Sequence, residues 1–484
     1  MNVRLTVALS ALLTLVFTSL VTAQERATAS VPTTLQDVVQ STLQHYPLVL
    51  AARSDIANRS GLALATRGAF DPRIDSTLGT QQGGYYEHGS LDAGITQAFP
   101  FMNSRVFGGY RQSDGDFAGY EGKDLTLDDG EARMGFALSL WRNRDIDDRR
   151  AAMTTADLQV QVQQYQLTAE QLKLLEQAYV AYARWLLAHR LEEAYRDLLT
   201  LAVSRGEGLE ASVAAGNAAR ILLVENRQSV VQRQALVTDA QRQIDVAAET
   251  LALFLRDEAG NSVYPRYEPS LALPPEATQL VSAPTSQVIT QALDKRPELA
   301  IARLAQEQTQ VKKRAAENLA KPQVDLRVYT QRDFGSGPGS LRGTDNVVDL
   351  SISVPLATRE ARGKAASAQA EFDGLAHRIR LLEDQLGQDI RASRVTLEAT
   401  RDLENLAIEE LSVTQELAQA EQQRFDSGQS DFFLLNQRER QMGEALLKRW
   451  QAHLAHQVAL ADYYAASMDT AALGADAGSI FDTP

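Results

Sequence analysis

The sequence predicts a mainly α-helical fold combined with a membrane β-barrel, built from one unit that occurs twice. Three observations support this prediction: a long internal repeat, two very long helical patterns, and short stretches of alternating apolar and polar residues between the helices. Each half should supply a long antiparallel helical hairpin and a pair of strands. The chain would then contribute about four barrel strands.

The repeat consists of two segments that align without a gap, QDVVQSTLQHYPLVLAAR and SQVITQALDKRPELAIAR. Pro47 matches Pro297, an offset of 250 residues (297 − 47). Identical residues at this offset include Val38/Val288, Leu43/Leu293, Arg53/Arg303, Pro72/Pro322, Asp75/Asp325 and Gln81/Gln331. So many matches at one offset indicate a tandem duplication, so both halves should build the same unit.

The N-terminus has the features of a cleaved secretory signal. Residues 1–23 combine Arg4, an apolar run over Leu5–Val21 and a small residue, Ala23, before the expected cut. An N-terminal membrane anchor is the alternative, but the apolar run is shorter than the ~20 residues that a spanning helix needs. The chain contains no cysteine, which excludes disulfides and an N-terminal lipid on cysteine. Its formal net charge of −14 argues against a nucleic-acid partner.

Helical and strand patterns alternate in the first half. A helix is predicted from Thr34 to about Arg67, with a kink or restart at Pro47. Strands follow around Ile74–Leu78 and Ala132–Leu140, and then a helix over about Asp148–Ala214. At 1.5 Å per residue, that helix would be roughly 100 Å long. No ordinary globular core needs such a length.

The first half also contains about 50 residues, 82–131, that the second half lacks. They hold two weak strand candidates, Leu91–Ala98 and Arg105–Tyr110. Because the chain must leave and return on the same side of a membrane, the number of crossing strands in each half must be even. The insert therefore adds a membrane hairpin or folds as an external hairpin, and the external hairpin is favoured.

The second half repeats the order of elements without the insert. A helix is predicted from about Pro284 to Ala320, strands over Val324–Val328 and Val348–Val354, and a long helix over about Glu360–Phe425. Each long helix stops near a glycine and is followed by a second helix of about 38 residues. Glycine just past a helix end fits a left-handed cap, so each pair forms a helical hairpin with a glycine tip.

The lengths predict how these helices pack. The helix before the strands and the helix after the tip together nearly match the one long helix. Two short helices stacked end to end can therefore flank it as an antiparallel coiled coil, with strands at one end and glycine tips at the other. The resulting division of the chain is a first repeat 24–256, a Pro-rich linker 257–283, a second repeat 284–470 and a small, polar, mobile tail 471–484.

About four strands are too few to close a barrel, and an open sheet edge is not tolerated in lipid. Three copies would supply about twelve strands, within the range of outer-membrane barrels. The helical hairpins of the same three copies would continue as a hollow cylinder. This architecture predicts a conduit from the periplasm through the outer membrane.

The chain resembles the TolC-like outer membrane efflux proteins, or outer membrane factors. The likeness lies in the duplicated opening with its proline, the helix starts DRRAAMTTAD and ARGKAASAQA, and the tip RFDSGQSDFFLLNQ. It implies a homotrimer in the outer membrane of a Gram-negative bacterium, with a periplasmic α-barrel. It also implies a periplasmic adaptor and an inner-membrane pump of the RND or ABC type as partners. The channel would be passive, serve efflux or type I secretion, and have no enzymatic activity and no cofactor.

The resemblance also directs attention to the tips, because family members commonly have acidic residues six and sometimes nine positions after the second tip glycine. Here those positions are Leu434 and Gln437. The nearest carboxylates are Asp431 and Glu225, for which capping or solvating a helix start is the alternative. The candidate tip and aperture residues are Gly216, Glu225, Gly428, Asp431, Leu434 and Gln437.

Two other classes of protein fit the sequence less well. An enzyme or metal protein has little support, because only His453 and His456 have helical ligand spacing and no nearby carboxylate completes a set. The glycine-rich segment 335–343 lacks the Gly-Lys-Ser/Thr of a phosphate loop. A structural or adhesive coiled-coil protein of the cell envelope would explain the long helices but not the paired amphipathic strands. The composition does not identify a cargo.

Overall fold

A computed structural model describes residues 31–117, 124–271 and 283–475. The expected signal peptide lies outside the described residues, as do parts of the linker and of the C-terminal tail. The α-helices are α1 (Leu35–His45), α2 (Pro47–Arg67), α3 (Asp148–Ala214), α4 (Arg220–Ala252), α5 (Thr285–Lys295), α6 (Pro297–Asn318), α7 (Arg359–Asp426) and α8 (Phe432–Ser467). The β-strands are β1 (Arg73–Gln81), β2 (His88–Ala98), β3 (Arg105–Gly115), β4 (Glu131–Ser139), β5 (Gln323–Asp333) and β6 (Thr344–Ser353).

The long helices α3 and α7 contain 67 and 68 residues, which makes each of them about 100 Å long. In the first half α1, α2 and α4 pack on α3, and in the second half α5, α6 and α8 pack on α7. This is the predicted arrangement of short helices along one long helix. The two halves also touch directly, because α3 packs against α6 and α8.

Proline sets the same helix break in both halves, as predicted. Helix α1 ends at His45 and α2 begins at Pro47, while α5 ends at Lys295 and α6 begins at Pro297. Proline suits the first position of a helix because it has no backbone N–H to leave unpaired there. None of the helices in the described part of the chain is both long and apolar enough to cross a membrane.

The strands form one antiparallel sheet in the order β1-β2-β3-β4-β5-β6. Strands β4 and β5 join the two halves, with Ser139 opposite Asp325 and Glu131 opposite Asp333. The outermost strands, β1 and β6, are the two edges of the sheet. Each strand has 9 to 11 residues, the length that a tilted membrane strand needs.

The expectation of about four strands and an external hairpin is wrong for the described residues. The insert supplies β2 and β3, which pair along their whole lengths inside the same sheet. Leu91 and Ile95 lie opposite Leu78 and Ile74 of β1, so the apolar face continues across the insert. The sequence signal was weak because glycines occupy several positions of β2 and β3, which dilutes the alternation of apolar and polar residues.

The turn between β2 and β3 lies at the end of the sheet nearest the helices. The side-chain amide of Gln97 donates to the carbonyl of Phe70, 2.7 Å away. Arg149 at the start of α3 donates to the side chain of Asn103, and its guanidinium lies 5.0 Å from the centre of the Phe70 ring. These contacts tie the inserted hairpin to the helical part.

The two faces of the sheet differ in chemistry. One face is apolar and exposed, because alternate residues on every strand are large and hydrophobic. Its exposed members are Ile74, Leu78, Leu91, Ile95, Val106, Tyr110, Met134, Phe136, Val348, Leu350 and Ile352. Most charged residues of the strands lie on the opposite face, here called the polar face. They are Arg73, Asp75, Asp92, Arg105, Arg111, Glu131, Arg133, Asp325, Arg327, Asp333, Asp345 and Asp349.

The main hydrophobic core lies where α1, α4 and α8 meet the middle of α3, and residues of α5 and α7 complete it. The predicted stripe of Leu175, Tyr179, Tyr182 and Leu186 is fully buried there. The expectation of a mobile tail fails for residues 471–475, since Leu473 is 0% exposed within this core. Gly474 lets this segment pass close to Leu35 and Val39 of α1. The composition of the tail does not reveal this contact.

Candidate functional site

The two glycine tips have the same backbone. Gly216 adopts a left-handed conformation with φ of 75°. Its N–H donates to the carbonyl of Val213 at 3.0 Å, and the N–H of Asn217 donates to Ser212 at 2.9 Å. This pair of bonds is the Schellman motif, which satisfies the last carbonyls of a helix.

The second tip repeats this geometry. Gly428 has φ of 69°, its N–H donates to Phe425 at 3.0 Å, and the N–H of Gln429 donates to Arg424 at 2.8 Å. Both tip glycines are exposed, and nothing lies near the position of an added Cβ. Glycine is therefore needed there for its backbone conformation and not for space.

The side chains of the two tips differ at the start of the returning helix. Asp431 is the N-cap of α8, and its carboxylate accepts from the N–H of Leu434 at 2.7 Å. The equivalent residue of the first tip, three positions after the glycine, is Ala219, which offers no side-chain cap to α4. The capping alternative for Asp431 thus has direct geometric support, although the residue is exposed.

The remaining candidates lie in the first turns of the returning helices. Leu434 and Gln437 on α8 and Glu225 on α4 are all half-buried. Glu225 and Asp431 therefore belong to the returning helices of different hairpins.

A buried charge cluster, which was not among the candidates from the sequence, lies close to the second tip. Glu439 of α8 accepts from Arg205 of α3 through both carboxylate oxygens, with one of these bonds measuring 2.7 Å. Arg233 of α4 donates to the same carboxylate. Arg205 also donates to Gln422 of α7 at 2.7 Å, so the cluster joins helices from both hairpins.

The cluster is almost completely shielded from solvent. The side chains of Arg205, Arg233 and Glu439 are 7%, 9% and 3% exposed. Burial raises the pKa of Glu439, but the hydrogen bonds and charges of the two arginines outweigh burial and hold that pKa below its usual range. The sequence does contain a sign that Glu439 is buried. Phe432, Leu435 and Glu439 are spaced three and four residues apart, as in the buried stripe of a helix.

Ion pairs also organise the polar face of the sheet. Asp92 of β2 accepts from Arg111 of β3 at 2.9 Å and from Arg133 of β4 at 2.6 Å. Arg73 pairs with Asp75 along β1 at 3.4 Å. Two cavities, of about 730 and 300 Å³, open on this face.

The described residues contain no group of three or more His, Asp or Glu side chains placed to hold a metal ion. The histidine pair on α8 contacts α7 instead. His453 lies against Glu404, and His456 lies 3.5 Å from the Thr400 hydroxyl. Both histidines thus make polar contacts between α7 and α8.

No protein-family model matches the sequence, and no curated protein matches it. Similar solved structures were found, and three of them share 13 to 16% sequence identity with this chain. A structure of CusC, described as forming a transmembrane channel, has a TM-score of 0.64 and 13% identity, covering 92% of this chain and 93% of that chain. The open state of the Neisseria gonorrhoeae MtrE outer membrane channel has a TM-score of 0.63 and 16% identity, covering 90% and 88%. The Campylobacter jejuni CmeC outer membrane channel has a TM-score of 0.58 and 13% identity, covering 94% of this chain and 91% of that chain.

These likenesses extend over nearly the whole of each chain. The chain therefore has the TolC-like outer membrane factor fold, as its repeat and tips suggested. The three named structures with this fold are described as channels.

Proposed function

We propose that three copies of this chain form a channel in the outer membrane of a Gram-negative bacterium. The channel passively conducts substrate handed over by an inner-membrane pump and a periplasmic adaptor, in efflux or type I secretion. The observation that supports it most strongly is the six-stranded sheet with one exposed apolar face and one charged face. Water-soluble proteins rarely leave such a large apolar patch uncovered.

The sheet also explains why several copies are required. Its edge strands β1 and β6 have no neighbours in the described chain, and unpaired backbone groups are not tolerated in lipid. Three copies with six strands each give 18 strands, in place of the twelve expected from the sequence. Barrels of about this size leave an aqueous channel.

The faces and ends of the molecule suggest the partners. The apolar face fits outer-membrane lipid, and the polar face would line the lumen. The long hairpins would cross the periplasm, and the adaptor, followed by an RND or ABC pump, would dock near the glycine tips. Export to this site would follow cleavage of the signal peptide after residue 23.

A structural or adhesive coiled-coil protein is the second candidate. It would account for the hairpins of about 100 Å. It gives no reason for six paired strands with a lipid-compatible face. The channel is therefore the better explanation of the whole chain.

Conductance in a planar bilayer tests the proposal, with Gln437→Cys and Glu225→Cys as a matched pair. Both positions lie nine residues after a tip glycine, and the natural chain has no cysteine to interfere. We expect discrete steps from the wild type, and a smaller conductance after a charged thiol reagent modifies Gln437→Cys or Glu225→Cys, because both are candidate aperture positions.

Asp431→Ala serves as the third variant in this experiment. If the Asp431 carboxylate also faces the aperture, its loss should reduce cation selectivity, whereas a purely capping residue should leave selectivity unchanged. A correctly folded protein that is recovered as a soluble monomer and never conducts would contradict the channel and support the structural candidate.

A further inference from the structure

We propose that the polar face of the sheet holds a binding site for organic carboxylates, formed by Arg105 of β3 and Arg327 of β5. The inference rests on the proposed function, in which this face lines the path of the cargo. It adds a chemical class of solute that the channel would retain on its way out. Four observations lead to it.

The first observation is the register of three neighbouring strands. Arg105 lies opposite Ala137 of β4, and Ala137 lies opposite Arg327. The two arginines therefore stand in one row on either side of a buried alanine, with their backbones about 10 Å apart. A small residue between them leaves a gap that two guanidinium groups can share with a ligand.

The second observation is the lack of ion-pair partners for these two arginines. Arg111 and Arg133 share Asp92, and Arg73 pairs with Asp75. In the described residues, neither Arg105 nor Arg327 has a carboxylate within ion-pair distance. Asp349 lies directly opposite Arg327 on β6, yet the two side chains do not pair.

The third observation is the fixed position of the Arg327 guanidinium. It lies 4.8 Å from the centre of the Phe107 ring and 4.7 Å from that of the Tyr329 ring. Its Nε atom is buried and has no hydrogen-bond acceptor within the described residues. Such stacking reduces the entropy lost on binding, because the planar donor group is already oriented.

Glycine makes this stacking possible. Phe107 and Tyr329 lie opposite Gly135 from its two sides, in the row next to the arginines. A Cβ atom on Gly135 would stand 2.4 Å from the Cβ of Tyr329, which is too close for any side chain. Gly135 therefore lets the two aromatic rings approach Arg327.

The fourth observation is the space around the arginines. Both line the larger cavity of about 730 Å³ and the smaller one of about 300 Å³, together with Thr96. The larger cavity is also lined by three carboxylates, Asp71, Asp325 and Asp349, and in the described residues none of them is ion-paired with either arginine. Asp325 instead accepts from Ser139 at 2.8 Å and from Gln323 at 2.6 Å. The site thus offers cationic donors to a solute of small-molecule size.

A carboxylate is the group that this site fits best. The planar guanidinium fork matches the two oxygens of a carboxylate, and such charge-assisted hydrogen bonds are about twice as strong as neutral ones. Two arginines in one row suit a solute with a carboxylate at each of two positions. Binding should weaken as salt rises, because the site opens to water.

Calorimetric binding to the detergent-extracted full-length protein tests the site, with isophthalate as the probe and isophthalamide as its uncharged equivalent. We expect isophthalate to bind and isophthalamide not to bind. Arg327→Gln and Arg105→Gln should each weaken isophthalate binding about tenfold or more, since each removes a charged donor. Arg111→Gln, on the same face but paired with Asp92 and lining neither cavity, should change it less than twofold.

Two further variants distinguish binding at this site from a general attraction of anions to positive charge. Ala137→Leu keeps every charge but fills the gap between the arginines, and it should also weaken binding about tenfold. Arg327→Lys keeps the charge but loses the planar fork, so it should bind more weakly than the wild type. Binding that is equal in wild type and in the Arg105→Gln/Arg327→Gln double variant would overturn the site, as would equal binding of isophthalamide.

Conductance of the same preparations distinguishes the site from the channel. Protein that conducts but binds no isophthalate would overturn the site and leave the channel intact. Protein that binds isophthalate with the expected loss in the variants, but never conducts, would support the site and contradict the channel.

Discussion

The two hairpin tips share a backbone and differ in their side chains. Both end in a left-handed glycine with the same pair of Schellman hydrogen bonds. Four positions after the glycine, however, the first tip has exposed Arg220 and the second has Phe432, which is 2% exposed and packs against Phe425. Eleven positions after it, the first has exposed Arg227 and the second has buried Glu439.

The difference shows what the duplication retained and what it did not. The hairpin needs the glycine and the helix ends, because they set the direction of the returning chain. The side chains around them were free to take separate roles. The second hairpin supplies the buried carboxylate of the charge cluster, and that carboxylate holds it against α3 and α4. The first hairpin supplies the two arginines of the cluster, and its returning helix α4 has no side-chain cap.

The largest expected effect comes from Glu439→Gln. It would leave Arg205 and Arg233 buried without a counter-charge, which costs about 3–5 kcal/mol. Hydrogen exchange should speed up in the α8 segment nearest the second tip, with a lower thermal midpoint. Arg227→Gln, the equivalent change on the first hairpin, should stay within about 0.5 kcal/mol.

Replacing all three members of this cluster with leucine should recover much of the loss, since no buried charge then lacks a partner. Equal effects of Glu439→Gln and Arg227→Gln would show that the tips do not differ in the way described.

A pH titration compares the second tip with the middle of α3. Glu176 of α3 lies beside Asp462 of α8, and burial, followed by repulsion from Asp462, raises its pKa to about 7. Because this pKa lies above its ordinary value near 4.5, the stabilising contribution is present at low pH and is lost as pH rises through about 7.

Glu176→Gln should therefore stabilise the protein at pH 8 by about 1 kcal/mol, a figure reduced for the partial exposure of Glu176. At pH 4 the same substitution should change little. Glu439 behaves in the opposite way: its contribution is present above its ordinary pKa and lost as pH falls through its lowered one. Thermal midpoints across pH would contradict this account if Glu176→Gln destabilised the protein at pH 8.

The smallest expected effect concerns the helix caps. Asp431→Ala removes the acceptor for the N–H of Leu434 and should cost about 1 kcal/mol. Ala219→Asp should add the missing cap to α4 and stabilise the first tip by about 0.5–1 kcal/mol, since Ala219 already has extended backbone angles. Hydrogen exchange in the first turns of α4 and α8 measures both changes. If Ala219→Asp gave no added protection, the tips would differ in more than the cap.

Local signals determined how much of this structure could be predicted. The long helices follow from uninterrupted 3.6-residue periodicity, and their breaks follow from Pro47 and Pro297. Strands β2 and β3 were predicted only as weak candidates, because Gly94 and Gly109 weaken the alternation of apolar and polar residues. Those glycines lie where neighbouring strands approach closely.

Interactions between residues that are far apart in sequence could not be predicted from such local patterns. The partners of Glu439 lie 234 and 206 residues away in sequence, so no local pattern could pair them. The row of Arg105, Ala137 and Arg327 depends equally on strand register across both halves. The tip candidates were located by their spacing from glycine, and their position around an aperture remains a proposal.

Electron cryomicroscopy of the detergent-extracted protein tests the central claim most directly. The account predicts three copies closing one barrel of 18 strands, in which β6 of each copy pairs with β1 of the next, Ile95 and Val106 face the detergent, and Arg105 and Arg327 face the lumen. A particle with the inserted strands folded outside the barrel, or with the polar face toward the detergent, would contradict it.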